Sequence, residues 1–240
     1  MGKYPFSSTL MKPPVFFVTG TDTDVGKTFI SSLLVYKWRP NYWKPVQTGI
    51  ESDIGDTATV SNVLVDDSWK PHLFPPRHQL LKPLSPYEAM DYEPGVNVQL
   101  TDFEIPEGTD EHPLVVEGAG GVAVPVTKKM ETIVDLIKEL SFKCDRPFYI
   151  ILVARSTLGT INHTFLTLNY LLSNGLGDKI LGVVVNGEQN EGNLKVMREF
   201  GVNILATVDY HTSMSEALSD IPSFCSLDLA HNDPASTQKN

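Results

Sequence analysis

The sequence predicts a single α/β domain, a doubly wound and mostly parallel sheet with helices on both faces. Three observations predict it. Short β-branched or aliphatic runs recur along the chain, helical periodicity fills the intervals, and a glycine-rich turn ending in Lys27-Thr28 follows the first run. The runs at 15–18, 114–116, 148–153, 180–185 and 204–206 are nearly continuous rather than alternating. Strands covered on both faces read that way. An apolar stretch at 29–36 predicts the first helix. Ile133, Leu136, Ile137 and Leu140 fall at i, i+3, i+4 and i+7, and Ile161, Phe165, Leu168 and Leu172 are expected to form the apolar face of another helix. Strands alternating with helices imply right-handed crossovers and a parallel sheet.

Two segments break the rhythm. Residues 71–94 hold six prolines in 24 positions, which predicts an extended, irregular excursion. It is read as a surface connection, with an active-site lid as the alternative. The polar, unpatterned stretch 231–240 is expected to be disordered. With 1–14 as an N-terminal extension, the domain is expected to span 15–230.

Composition excludes several functions. Nineteen basic against 29 acidic side chains give a net charge of −10, which disfavours a nucleic-acid interface. No apolar run approaches the ~18 residues a membrane helix needs. Cys144 and Cys225 are far apart and form no metal knuckle or disulfide framework, which suits a reducing compartment. The first 14 residues are expected to carry neither a secretory nor an organellar signal, and Phe6 stands where myristoylation after Gly2 needs Ser or Thr. A cytoplasmic location is expected. Any phosphate must therefore be held locally, against the global field.

The turn Gly20-Thr21-Asp22-Thr23-Asp24-Val25-Gly26-Lys27-Thr28 supplies such a place. A strand, a glycine loop and a helix in that order are what a P-loop nucleotide site requires. Backbone N–H groups at the helix start face phosphate oxygens, Lys27 neutralises them and the Thr28 hydroxyl is suited to Mg²⁺. The spacing departs from the strict motif, whose first glycine would fall at Thr21 and here lies at Gly20. Asp22 and Asp24 would repel a triphosphate, so their carboxylates are expected to point elsewhere, with a cationic co-substrate as a target. Asp22 also occupies the place where partition ATPases carry a second lysine. No guanine-reading Asn-Lys-x-Asp occurs.

Other groups join the loop. Lys44 lies in an apolar, strand-like stretch, Tyr42-Trp43-Lys44-Pro45-Val46-Gln47-Thr48-Gly49, which favours a cleft-facing ammonium suited to phosphoryl or carboxylate charge. Glu117 ends the run 114–116 and opens Gly118-Ala119-Gly120-Gly121, the place for a Mg²⁺ carboxylate at the crevice of an open sheet. Asp56 either binds metal or caps a following helix, and Asp53 is a second metal candidate. Asn186-Gly187 is both a turn signal and a candidate reader of adenine. The segment beginning at Leu158 opens a helix whose free N–H groups can hold an anion; His163 is given no catalytic role.

Together these residues resemble the dethiobiotin synthetase family. The resemblance rests on the Gly-Thr-Asp-Thr loop, on Lys44-Pro45-Val46-Gln47-Thr48-Gly49, Leu84-Ser85-Pro86, Val116-Glu117-Gly118-Ala119-Gly120-Gly121 and Leu158-Gly159-Thr160-Ile161-Asn162-His163, in the family's order. It implies a homodimeric ligase that uses ATP and Mg²⁺ to close a cyclic urea on 7,8-diaminononanoate and CO₂, through a carbamate and a carbamic–phosphoric anhydride. The catalytic residues it implies are Lys44 and Lys27. Implied nucleotide contacts are Asp24, Val25, Gly26, Lys27, Thr28, Phe29, Glu117, Gly118, Ala119, Gly120, Asn186 and Gly187, and implied Mg²⁺ ligands are Thr28, Asp56 and Glu117. Thr21, Asp22, Thr23 and Thr48 would face the diamine, while Gly159, Thr160, Ile161 and Asn162 would hold its carboxylate from the neighbouring subunit. The chain departs from the family pattern at Gly187, where the family often has Asp, and the stretch at 207–209 matches by position alone. Another P-loop small-molecule kinase or amidating synthase, and a nucleotide-switched dimerising ATPase, are the alternatives.

Overall fold

The computed structural model describes residues 12–63, 69–108, 111–211, 213–227 and 229. Most of the expected extension and all of the expected tail at 231–240 lie outside the described residues. β1 (Val15–Gly20) is buried along its length. Val15 and Phe17 enter the core on one side of the sheet, while Phe16 and Val18 enter the core on the other. A strand apolar at every position has no face for water, so helices must cover both.

The chain continues through α1 (Lys27–Trp38), β2 (Asn41–Trp43), β3 (Val46–Gln47), α2 (Asp56–Val63), β4 (Leu73–Phe74), β5 (His78–Gln79) and α3 (Pro86–Ala89). It then forms β6 (Leu114–Gly121), α4 (Ile133–Lys143), β7 (Phe148–Arg155), α5 (Thr160–Ser173), β8 (Ile180–Asn186), α6 (Glu191–Glu199), β9 (Ile204–Val208) and α7 (Met214–Ala217). Seven strands pair in the order β4-β2-β6-β1-β7-β8-β9, every neighbouring pair parallel. All five expected strands are in this sheet. From β1 the chain moves outward to β2 and β4, returns to β6 beside β1, then crosses to β7, β8 and β9. The order therefore reverses at β1, and a crevice opens past the C-terminal ends of β1 and its neighbours.

α4 matches its expected face. Ile133, Leu136, Ile137 and Leu140 are fully buried, each contributing about 1.5–3 kcal/mol of burial. Thr132 and Asp135 close a reciprocal cap at its start, the Thr132 N–H donating to Asp135 Oδ2 at 2.8 Å.

α5 departs from expectation. Its buried side chains are Thr160, Thr164, Thr167 and Leu171, whereas Ile161, Phe165 and Leu168 are only partly covered and Leu172 is exposed. Threonine serves in the core because its hydroxyl can turn back onto the helix, as Thr167 Oγ1 does in donating to the His163 carbonyl at 2.8 Å, leaving the methyl to pack.

The proline-rich stretch is also more ordered than expected. β4 joins the sheet edge, β5 pairs in parallel with β3, and Leu80, Ala89 and Met90 are buried in the core beneath α4. The prolines fit because these strands are two residues long and α3 starts with Pro86 just inside a Ser85 cap. The surface-connection reading therefore gives way to a folded wall.

Candidate active site

A cavity of about 520 Å³ lies over the C-terminal end of β1. Its walls include the loop before α1, Lys44 and Thr48 after β2, Asp53 and Asp56 around the start of α2, Pro83 to Pro86 from the proline-rich wall, and Glu117 with Ala119 and Gly120 from β6. Of the residues singled out from sequence, it gathers Thr23, Asp24, Gly26, Lys27, Thr28, Phe29, Lys44, Thr48, Asp53, Asp56, Glu117, Ala119 and Gly120. Thr21, Asp22, Val25, Gly118, Asn186 and Gly187 sit behind or beside these walls. Gly159, Thr160, Ile161 and Asn162 at the start of α5 do not line the cavity.

The loop is held from several sides. Asp24 and Gly26 have φ of 55° and 95°, the turn that aims the α1 N-terminus at the cavity. Asn186 Nδ2 donates to the Val25 carbonyl at 3.0 Å, and a Cβ at Gly26 would overlap that amide. Asn186 is thus engaged with the loop itself. Lys27 is buried, and its Nζ donates to the Asp22 carbonyl at 3.0 Å. The Asp22 carboxylate turns away from the cavity, as expected, toward a cation of this same chain: Arg155 donates to Oδ2 at 2.7 Å, and the Thr23 N–H to Oδ1 at 2.8 Å.

Glu117 is the centre of the polar cluster. Its side chain is wholly buried, and Oε1 accepts from Thr28 Oγ1 at 2.8 Å and from Lys44 Nζ at 3.1 Å, while Oε2 accepts from Tyr42 Oη at 2.9 Å. The register explains the meeting. Asn41, Tyr42 and Trp43 lie beside Leu114, Val115 and Val116, so Lys44 emerges at the level of Glu117 just where β2 ends. Tyr42 and Lys44 are two apart and share a face, and Trp43 points into the opposite core. Lys44 Nζ also donates to the Gly118 carbonyl at 3.1 Å and forms an ion pair with Asp56.

Asp56 opens α2, and its N–H donates to Gln47 Oε1 at 2.9 Å. Its carboxylate faces Lys44 and Thr28 rather than capping the helix. Asp53 instead accepts from the Gly55 N–H at 3.3 Å, a turn contact.

Ionisation follows from this packing. Burial alone would lower Lys44, but Glu117 and Asp56 together hold it above the ordinary lysine value. Burial pushes Asp56 upward, and Lys44 with its hydrogen bonds outweighs that and keeps the carboxyl below the usual range. Lys27 is lowered, by burial first and then by the Lys44 charge. An arriving phosphate would oppose that lowering, because its negative charge favours the ammonium form.

The convergent donors are two carboxylates and a hydroxyl, all oxygen. Such a set, completed by phosphate oxygens and water, is of the kind that holds Mg²⁺. Tyr42, Gln47 and Arg155 are residues of the site that the sequence pattern does not single out. Only Tyr42 left a local signal, two positions before Lys44 on the same strand face. Among the described residues no helix is long and apolar enough to cross a membrane.

Comparison with known proteins agrees with this geometry. A family model described as an AAA domain matches residues 15–217. The ATP-dependent dethiobiotin synthetase BioD of Paramagnetospirillum magneticum is 42% identical over 193 residues, covering 80% of this chain and 86% of that protein. BioD of Lawsonia intracellularis is 34% identical, covering 86% and 94%. The biotin biosynthesis bifunctional protein BioCD of Bordetella avium is 40% identical over 82% of this chain, which spans only 40% of that longer relative. Solved structures share the fold alone: the signal recognition particle receptor FtsY of Elizabethkingia anophelis with GDP (TM-score 0.51, 12% identity, 92% of this chain and 64% of that one), and a ParA family ATPase of Chlorobium tepidum (0.50, 12%, 87% and 89%). Identity across most of the length is found with the ATP-dependent dethiobiotin synthetases, and the chain belongs to the dethiobiotin synthetase family.

Proposed function

We propose that the chain uses ATP and Mg²⁺ to form dethiobiotin from 7,8-diaminononanoate and CO₂. The observation that carries the reading is Lys44: a buried ammonium at the rim of a nucleotide loop, held beside Glu117, Asp56 and Thr28. Names of relatives supply the product; the residues supply a route to it.

One substrate amine takes up CO₂ and loses a proton to form a carbamate. A carbamate oxygen then attacks the γ-phosphorus, ADP leaves, and a carbamic–phosphoric anhydride results. The second amine attacks the carbonyl carbon and gives up a proton, and phosphate departs as the ring closes. Lys27 and the N–H groups from Asp24 to Thr28 hold the phosphates and take up charge on the transferred group. Lys44 lies between that loop and Thr48, so its ammonium serves the carbamate oxygen and the γ-phosphate together. Thr28, Asp56 and Glu117 would hold Mg²⁺, which when bound neutralises phosphate charge. Phe29, Gly118, Ala119, Gly120, Asn186 and Gly187 complete the nucleotide's surroundings. Pro83, Leu84, Pro86 and Val124 supply the apolar part of the cavity wall.

Thr21, Asp22, Thr23 and Thr48 border the diamine end, with Asp22 acting through the loop it anchors to Arg155. Gly159 to Asn162 do not line their own cavity, while Leu158 beside them and Leu166 and Leu172 farther along α5 are exposed. A homodimer in which each α5 start holds the carboxylate of the substrate in the other subunit accounts for both features. We place the reaction in the cytoplasm, where ATP is available.

The test is direct. Purified chain given Mg-ATP, bicarbonate and 7,8-diaminononanoate is expected to yield the cyclic urea, detected by mass spectrometry. Intact ATP binding without that product would overturn the reading.

A further inference from the structure

Tyr42 has a hydroxyl that the proposed chemistry does not use. The side chain is fully buried in the core between α1 and the sheet, where a phenylalanine would supply the same packing. A phenol without a partner at such depth is costly, and this one donates to Glu117 Oε2 at 2.9 Å. Glu117 is then divided between two tasks. Oε2 faces inward to Tyr42; Oε1 faces Thr28 and Lys44 at the cavity wall.

A carboxylate rotates about its last torsion with a broad, two-fold preference. With one oxygen fixed by Tyr42, rotation that would take Oε1 away from Thr28 and Lys44 breaks a buried hydrogen bond. We propose that Tyr42 is a positioning residue, which locks the Glu117 carboxylate so that one oxygen is presented to the divalent cation of the nucleotide. The inference rests on the Mg²⁺ reading given above and adds to it a residue two positions from Lys44 that touches neither nucleotide nor substrate. Outer partners of this kind set metal affinity by about 10- to 100-fold.

The experiment measures Mn²⁺ binding to the ADP complex by electron paramagnetic resonance, alongside steady-state turnover. Tyr42→Phe is expected to weaken Mn²⁺ by about tenfold or more and to lower kcat with little change in the KM for ATP. Trp43→Phe is the control for core damage: it removes a buried ring of the opposite face whose Nε1 donates to the Pro75 carbonyl. It is expected to lower Tm and leave Mn²⁺ affinity alone. If Tyr42→Phe matches Trp43→Phe, with lower Tm and wild-type Mn²⁺ affinity, the positioning role is overturned. Glu117→Gln separates the two levels. Weakened binding in Glu117→Gln with wild-type binding in Tyr42→Phe overturns the role of Tyr42 alone, whereas wild-type binding in both overturns the metal reading and this inference with it. Should Tyr42→Phe not fold, wild-type protein labelled with ¹³C at the Tyr42 ζ carbon gives an independent readout. Its resonance is expected to shift on adding Mn²⁺'s diamagnetic counterpart Mg²⁺ to the ADP complex, and an unmoved resonance overturns the proposal.

Discussion

Replacing Lys44 with methionine keeps most of the length of the side chain and removes its charge. Glu117, fully buried, and Asp56, whose side chain is 26% exposed, then face each other without the cation between them. Removing one partner from a buried ion pair costs about 3–5 kcal/mol. The lower end applies, because Thr28 and Tyr42 still donate to Glu117 and Asp56 keeps some contact with water. At about 2–4 °C per kcal/mol for a domain of this size, Tm should fall by about 6–12 °C. The pH dependence has a definite sign. Lys44 is raised above the ordinary 10.5, so its stabilisation is complete below that value and is lost as pH climbs through the folded-state pKa. Asp56 is depressed below the ordinary 3.8, so its share is present above that value and is lost as pH falls through the lower folded-state pKa. The gap between wild type and Lys44→Met should therefore be level from pH 6 to 9, roughly the plateau between those limits, and close at both extremes. Calorimetric scans in EDTA measure it. Mg-ADP should narrow the gap by supplying another cation to the same carboxylates. A Tm within about 2 °C of wild type would refute the reasoning.

Three further outcomes can be checked. Gly26→Ala places a Cβ against the Asn186 amide at a φ of 95°, and titration calorimetry should show ADP binding weakened by more than about tenfold, since at least a 1–3 kcal/mol strain must be met; unchanged affinity would show that the loop can relax. Asp56→Asn should raise the Mg²⁺ needed for half-maximal turnover by about tenfold or more, whereas Asp53→Asn should leave it unchanged, because only Asp56 reaches Lys44 and Thr28; the reverse order would exchange their roles. Leu166→Glu puts a charge on an α5 side chain that is 61% exposed, so the monomer fold should survive while sedimentation shows dimers lost and diamine affinity reduced; a wild-type sedimentation profile would contradict an α5 interface.

The central strands were legible because burial on both faces demands apolar residues at every position, and β1, β6, β7, β8 and β9 all obey. α4 was legible because its four core positions are aliphatic. β4 and β5 were not, since strands of two residues carry too little pattern; the stretch that holds β2 and β3 reads only as strand-like, because the polar Lys44 follows β2 directly. The inward face of α5 was hidden by its chemistry: threonines that hydrogen-bond back to their own helix read as polar. In the site, Lys27, Thr28, Lys44, Glu117 and Asp56 announced themselves by type and local context. Arg155 did not, because its partner Asp22 is 133 residues away in sequence and nothing short of the β1–β7 pairing brings them together. Gln47 was hidden for a related reason, as its contact with Asp56 depends on how the chain turns before α2.

In the proposed reaction a carbamate oxygen, drawn between Lys27 and Lys44, attacks the γ-phosphate. That oxygen must end in the phosphate released at ring closure. Turnover with freshly mixed ¹⁸O-labelled bicarbonate, read by the isotope shift in the ³¹P spectrum of the released phosphate, follows it directly. One ¹⁸O per phosphate is expected, together with the cyclic urea. Product formation with phosphate free of ¹⁸O, under conditions where residual bicarbonate remains labelled, would contradict it.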